Sequence, residues 1–214
     1  MKEKYDLIVC GGGFAGTAAA IAAARSGIDV LLIEKSGFLS GTAGNCLINP
    51  FMPFYTDING SKTDLSAGLF SEILSKLTAL GGLHKNGLTF NLELLKLVLD
   101  RMTRESGVTV LFHTYITGLE KEDRYIRSIS TINKSGAGSF AADIFIDATG
   151  DADIAAMAGC PFQLGREGDN LCQPMTLCFD IAGVDVDKVF STNPQINEAY
   201  RKLQSEGKIQ NPRE

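Results

Sequence analysis

Apolar residues crowd into residues 5–10 without helical spacing, then run directly into Gly11-Gly12-Gly13-Phe14-Ala15-Gly16 and an Ala-rich segment through Arg25. That order predicts a strand, a tight turn and a helix. Gly27 stops the helix, and residues 29–33 form a second continuous apolar run ending at Glu34, the pattern of a parallel strand buried on both faces. Together these residues make one βαβ unit.

Residues 36–61 change to Gly, Asn, Pro and aromatic residues, with Asn59-Gly60 marking a tight turn, and are expected to be loop or hairpin. Asp64 is placed to cap an amphipathic helix whose Leu65, Leu69, Phe70, Ile73, Leu77 and Leu80 share a face, ending at Gly81-Gly82. A further helix follows, capped by Asn91, with Leu94, Leu95, Val98 and Met102 inward and Gly107 as its stop. Residues 108–112 give a third apolar strand, again preceded by a helix. Beyond it the pattern alternates: strands over 115–119, 125–133 and 140–146, with a charged turn at 120–124 and a loose one at 134–138, predict an antiparallel meander. A short helix to Gly159, a polar loop, a strand near 175–181 and terminal helical segments complete the reading.

Composition narrows the possibilities. The chain has 214 residues, 44% of them hydrophobic, which excludes collagenous, disordered and coiled-coil classes. With 25 acidic against 20 basic residues the net charge is -5, and no Lys/Arg stripe offers a nucleic-acid footprint. No apolar run is long enough for a membrane span and the N-terminus carries no signal-like segment, so a cytoplasmic protein is expected. Cys10, Cys46, Cys160, Cys172 and Cys178 form no C-x-x-C pair and have no neighbouring histidine, which argues against a disulfide framework or a zinc site. They are expected to be small buried hydrophobes in a reducing compartment.

Gly11, Gly13 and Gly16 each meet a steric need: the turn after the strand, close approach of a pyrophosphate to backbone, and helix packed tightly on sheet. Free N–H groups at the helix start, with the positive end of its dipole, bind two phosphates without a Lys or Arg. Glu34 lies 18 residues beyond Gly16, at the end of the second strand, where a carboxylate accepts both hydroxyls of an adenosine ribose and repels a 2'-phosphate. NADP is therefore disfavoured.

Three segments together resemble the glutathione-reductase-like FAD flavoproteins: residues 5–16, Glu34-Lys35 with Gly37-Phe38-Leu39-Ser40-Gly41-Thr42, and Ile146-Asp147-Ala148-Thr149-Gly150-Asp151. Gln173-Pro174-Met175-Thr176-Leu177 narrows the resemblance to the bacterial FAD-dependent oxidoreductases, over nearly the whole chain. The resemblance implies an α/β, Rossmann-like FAD/NAD(P)-binding domain with a parallel sheet, an inserted antiparallel β-meander and the start of a substrate domain. It divides the chain into 1–160, with a helical insertion at 62–106 and a meander at 114–146, and 161–214.

It also implies site residues. Gly11, Gly13, Phe14, Ala15 and Gly16 would hold the FAD pyrophosphate, Glu34 the adenosine ribose, and Lys35 would flank the adenine. The backbone of Ile116 is similar in position to an adenine contact. Ala148, Thr149 and Gly150 would form a second small-residue turn beside the nucleotide, and Gly41, Thr42 and Ala43 would run past the pyrophosphate towards the isoalloxazine. Ser40 departs from the pattern, standing where the family has the first glycine of a pair, although its N–H remains available.

Catalytic residues stay unassigned. Phe51, Met52, Phe54 and Tyr55 are read as core packed on the following helices, with a wall of the flavin or substrate pocket as the alternative. His84 and His113 are the only histidines, and no carboxylate pairs with either by spacing. The expected activity is transfer of a hydride or electron pair between a small organic substrate and flavin. A non-catalytic nucleotide-binding remnant or subunit, and a NAD-dependent dehydrogenase, are the alternatives. Family members are about twice as long, so the resemblance implies a fragment, a truncated product or a complementing second half, with poor FAD retention and oligomerisation of the isolated chain.

Overall fold

The computed structural model describes residues 2–209, which divide into two compact units, one reaching Cys178 and one starting at Phe179. The first unit opens with strand β1 (Lys4–Cys10), helix α1 (Phe14–Arg25) and strand β2 (Val30–Ile33). All four residues of β2 are buried, as a strand covered on both faces requires. A single helical turn, α2 (Thr42–Asn45), leads to the hairpin β3 (Tyr55–Ile58) and β4 (Ser61–Asp64), closed by Asn59 and Gly60, both at positive φ. Helices α3 (Leu69–Ala79) and α4 (Leu92–Glu105) then deliver the chain to β5 (Thr109–Leu111). Strands β6 (Tyr115–Glu122), β7 (Tyr125–Asn133) and β8 (Gly136–Asp147) form the meander, and α5 (Asp153–Met157) follows.

The six-stranded sheet has the order β5-β2-β1-β8-β7-β6, parallel from β5 through β8 and antiparallel beyond. Strand β8 joins the two halves. Its first part pairs antiparallel with β7 from Asn133↔Gly136 to Ser128↔Ala141, and its second runs parallel to β1 from Lys4↔Ala141 to Cys10↔Asp147. The handover at Ala141 lays the meander over one face of the parallel strands. Ile8, Cys10, Leu31 and Ile33 there share a core with Ile129, Ala142 and Ile154. On the other face Leu7, Val9, Val30 and Leu32 pack against Ile21 of α1, Ile73 and Leu77 of α3, and Leu95, Leu99 and Met102 of α4. Arg25 of α1 grips Glu72 of α3 through two hydrogen bonds of 2.7 and 3.0 Å at the outer rim.

Several expectations need correction. Asp64 does not cap a helix: it pairs with Tyr55 as the last residue of β4, and Leu65 N–H donates to Phe54. The hairpin thus takes residues 62–64 from the expected helical insertion; α3 starts after Gly68, leaving Leu65 and Leu80 exposed rather than on its inward face. The charged segment 120–122 is strand, with the turn at Asp123 (φ 54), and β8 already begins at Gly136. Residues 175–181 form no strand. Met175 is 100% and Leu177 87% exposed, and the segment pairs with no strand among the described residues, so nothing holds it extended. Cys10 is buried, but Cys46, Cys160 and Cys172 are exposed, because they lie in loops rather than on core strands.

By contrast, Asn91 caps α4 as expected, accepting from Leu94 N–H at 3.0 Å. The second unit is built on α6 (Val186–Ser205), capped by Asp185, which accepts from Lys188 N–H. No helix of the described residues is long and apolar enough to cross a membrane.

Candidate functional site

The site lies where β1, β2 and β8 end side by side. Gly11 N–H donates to Ile33 O at 2.8 Å, and Ala148 N–H donates to Cys10 O at 2.8 Å, so the Gly-rich turn is stitched to the ends of both neighbouring strands. Gly11 has φ 102, and a Cβ there would stand 2.5 Å from the Ala148 carbonyl oxygen. A Cβ on Gly16 would run into the Gly11 carbonyl and come within 3.1 Å of Ala148 Cβ. The two glycine-bearing turns, separated by most of the unit in sequence, are thus in contact, and only small residues permit it.

The start of α1 is open. Its N-cap is Gly13, no side chain caps it, and its first turn carries no acidic residue. The Gly13 side faces only Gly41, whose Cα is 3.8 Å from where a Gly13 Cβ would be. Residues 40–42 therefore pass directly over the turn. Ser40 N–H donates to Gly12 O at 3.0 Å, and Gly41 takes φ 56. The N–H kept available at Ser40 is thus committed to the turn itself. Ser40 adopts φ 134, a glycine-like conformation, and its buried Oγ has no hydrogen-bond partner among the described residues. The serine occupies a position whose backbone suits the missing glycine.

Glu34 is 5% exposed, and both carboxylate oxygens already accept backbone donors: Gly12 N–H at 2.6 Å and Ser36 N–H at 2.7 Å. Beyond β8, Asp147 organises the second turn. It accepts from Thr149 N–H and Oγ–H at 3.0 and 2.7 Å and from Ala155 N–H at 2.9 Å, while Thr149 Oγ accepts from Asp153 N–H at 2.8 Å. Partial burial pushes the Asp147 carboxyl up, but the Thr149 hydroxyl and the Ala155 and Thr149 amides together pull it below its ordinary value. Ala152, at φ 56, is the N-cap of α5.

The structure brings Gly11, Gly13, Gly16, Glu34, Gly41, Ala148 and Thr149 together. Other expected site residues could reach a ligand here only in part. The partly buried Phe14 ring packs 5.9 Å from Phe51, and the Ala43 side chain is buried in the core, so Ala43 has only its backbone for a ligand. Ala15, Lys35, Thr42 and Gly150 are exposed, and a Cβ on Gly150 would meet nothing within 4 Å. Ile116 turns its side chain into the meander core. Phe51 packs on Phe70 and Phe90 at 5.1 and 4.3 Å, as core, while Met52 is exposed. His113 takes φ 52, lays its ring against Gly37 and lines an open cavity of about 630 Å³ with Tyr115, Ile132, Asn133 and Lys134. Sequence reasoning passed over Gly12, Thr17 and the buttressing role of Ser40, all of which act on the turn from inside the protein.

A family model described as FAD dependent oxidoreductase matches residues 6–214. The chain belongs to the FAD dependent oxidoreductase family. Among curated relatives, it is 28% identical over 200 residues to a digeranylgeranylglycerophospholipid reductase of Methanosarcina acetivorans, covering 87% of this chain and 47% of that protein. A vinyl phenol reductase of Lactiplantibacillus plantarum is 40% identical over 67 residues, 29% of this chain and 14% of that one. The chain spans about half the length of the longer-matching relatives. Solved structures agree on the fold: L-proline dehydrogenase from P. horikoshii (TM-score 0.55, 17% identity, 77% of this chain and 58% of that one) and THI4 of Thermovibrio ammonificans (TM-score 0.52, 17% identity, 77% and 67%). This member of the FAD dependent oxidoreductase family thus carries a Rossmann-type flavoprotein fold around the paired turns.

Proposed function

We propose that this chain holds FAD at the paired turns and serves an oxidoreductase that exchanges a hydride or electron pair with a small organic substrate. The observation that carries the reading is the uncapped start of α1 beneath the Gly13–Gly41 contact. The first amides of a helix need acceptors, and here no side chain supplies one, which suits a diphosphate. Gly11, Gly13, Phe14, Ala15 and Gly16 would hold the diphosphate through backbone, with Gly41, Thr42 and Ala43 alongside. Glu34 and Lys35 would face the adenosine, with the Ile116 backbone at the adenine and Ala148, Thr149 and Gly150 closing the second side. When bound, FAD supplies the isoalloxazine ring that carries the electrons; the protein's contribution is binding, orientation and electrostatics. Family membership and the reductase names of its relatives support flavin over nicotinamide and over a non-catalytic remnant. Three exposed, unpaired thiols support a reducing compartment such as the cytoplasm.

Equilibrium dialysis of the purified chain against FAD, FMN and NAD tests the reading. FAD should bind in preference to FMN and NAD even where its retention is poor, ADP should displace it, and FMN, which lacks the AMP half of FAD, should bind far more weakly. Equal retention of FMN and FAD, or a preference for NAD, contradicts it.

A further inference from the structure

Gly12, which is not one of the three glycines of the fingerprint, is held by hydrogen bonds at both its N–H and its carbonyl. Its N–H donates to Glu34 Oε2 at 2.6 Å, and its carbonyl accepts from Ser40 N–H at 3.0 Å and from the Thr17 hydroxyl at 3.2 Å. A Cβ on Gly12 would sit 2.6 Å from Leu39 Cδ2 and 3.0 Å from Glu34 Oε2. Both faces of this residue's backbone are therefore pinned from within the protein. Glu34 is itself fixed: its N–H donates to Leu111 O at 3.0 Å, its carbonyl accepts from Thr114 N–H at 3.1 Å, and Oε1 accepts from Ser36 N–H at 2.7 Å. A continuous path of hydrogen bonds thus runs from the end of β5 through Glu34 to the centre of the turn.

We propose that Glu34 is a positioning residue for the diphosphate, fixing the Gly12 peptide so that the following amides, at the start of α1, are set for the ligand. This rests on the dinucleotide reading above and adds to it, since a contact to the ribose diol alone would leave the phosphate grip untouched. Hydrogen bonds to an ionised acceptor are the strong kind, and a glutamine cannot accept from two N–H donors with both of its terminal atoms. Glu34→Gln turns an amide nitrogen towards one of them.

The experiment is calorimetric titration of the full chain and of Glu34→Gln with ADP and with 2',3'-dideoxy-ADP, which lacks the diol. Glu34→Gln should weaken both ligands by a similar factor, about tenfold or more, as the loss of a charge-assisted hydrogen bond to the turn implies. A variant that loses ADP affinity while holding dideoxy-ADP within about twofold makes Glu34 a diol ligand only and overturns the proposal. Should the variant fail to fold, amide exchange on the unmodified chain decides. Without nucleotide the Gly12 and Ser36 protons should exchange slowly and resonate well downfield; rapid exchange at Gly12 overturns the proposal. A wild-type chain that binds neither nucleotide while its Gly12 amide stays protected refutes the dinucleotide reading, and the positioning role falls with it.

Discussion

Gly13 and Gly41 meet backbone to backbone: a Cβ on Gly41 would stand 2.8 Å from Gly13 Cα. This contact closes the loop after β2 over the turn after β1, although no side chain takes part in it. Gly41 also holds φ 56 with ψ -125, a conformation that L side chains rarely adopt. Gly41→Ala should therefore destabilise the chain by about 1–3 kcal/mol from backbone strain and push the loop off the turn. Thermal melts and FAD dialysis on the variant check this. Affinity should fall together with the melting temperature, and an unchanged dialysis result would place the diphosphate elsewhere.

Phe51 separates two readings of the aromatic loop. Its ring contacts Phe14, Phe70 and Phe90, which belong to α1, α3 and the residue preceding the Asn91 cap. Truncating a ring so placed removes buried area and leaves a cavity. For this partly exposed ring the expected loss in Phe51→Ala is about 3 kcal/mol, at the low end for such changes. A urea midpoint shifted down with an unchanged slope checks it. A shift under about 0.5 kcal/mol would mean that the ring lines a pocket instead of joining the core.

Asp147 gives the second turn a pH dependence whose sign follows from its partners. The Thr149 hydroxyl and the Ala155 and Thr149 amides stabilise the carboxylate, so its folded pKa lies below the unfolded one despite partial burial. The associated stability is present above the ordinary carboxylate range and is lost as pH falls through the depressed value. In Asp147→Asn one of these acceptors becomes a donor facing an N–H. The variant should be about 1 kcal/mol less stable at neutral pH and lose less stability on acidification than the wild type. Parallel acid-limb curves for the two proteins would contradict the assignment.

The legible part of this fold is the part whose signals are local. The βαβ unit was readable because β2 is buried on both faces and says so in four consecutive apolar residues, and because Gly16 answers a steric demand from the Gly11 carbonyl, between elements adjacent in sequence. Gly12 was not readable as a constrained residue, since Glu34, Leu39 and Ser40 constrain it from a distant loop. Asp64 carries a good capping side chain, yet pairing with Tyr55 across the hairpin overrode that preference. The alternation in residues 175–181 is a strand pattern, but pattern alone supplies no edge to pair with. In the site, the resemblance implied two turns beside one nucleotide, whereas their direct contact and the double backbone engagement of Glu34 required the path of the chain.

The thiols offer a check on burial that needs no ligand. Cys10 ends β1 inside the meander-side core, and burial, with the nearby Asp147 charge adding to it, pushes its pKa up to about 12. The thiolate is the reactive form, so Cys10 should be silent at neutral pH while Cys46, Cys160 and Cys172 react freely with an aromatic disulfide reagent. Cys178, half-buried, should react more slowly than those three. Cys10 should become available only on unfolding, so its labelling rate follows global opening and should drop when FAD is added, because a ligand bound only to the folded state suppresses that opening. The linkage also has a sign. A thiol whose folded pKa is raised is harmless below its ordinary value near 9 and draws the chain towards unfolding as pH climbs from there to about 12. Cys10→Ala should lessen that alkaline loss while leaving a small cavity, and rapid native-state labelling of Cys10 at neutral pH would show that the core between β1 and the meander is not closed.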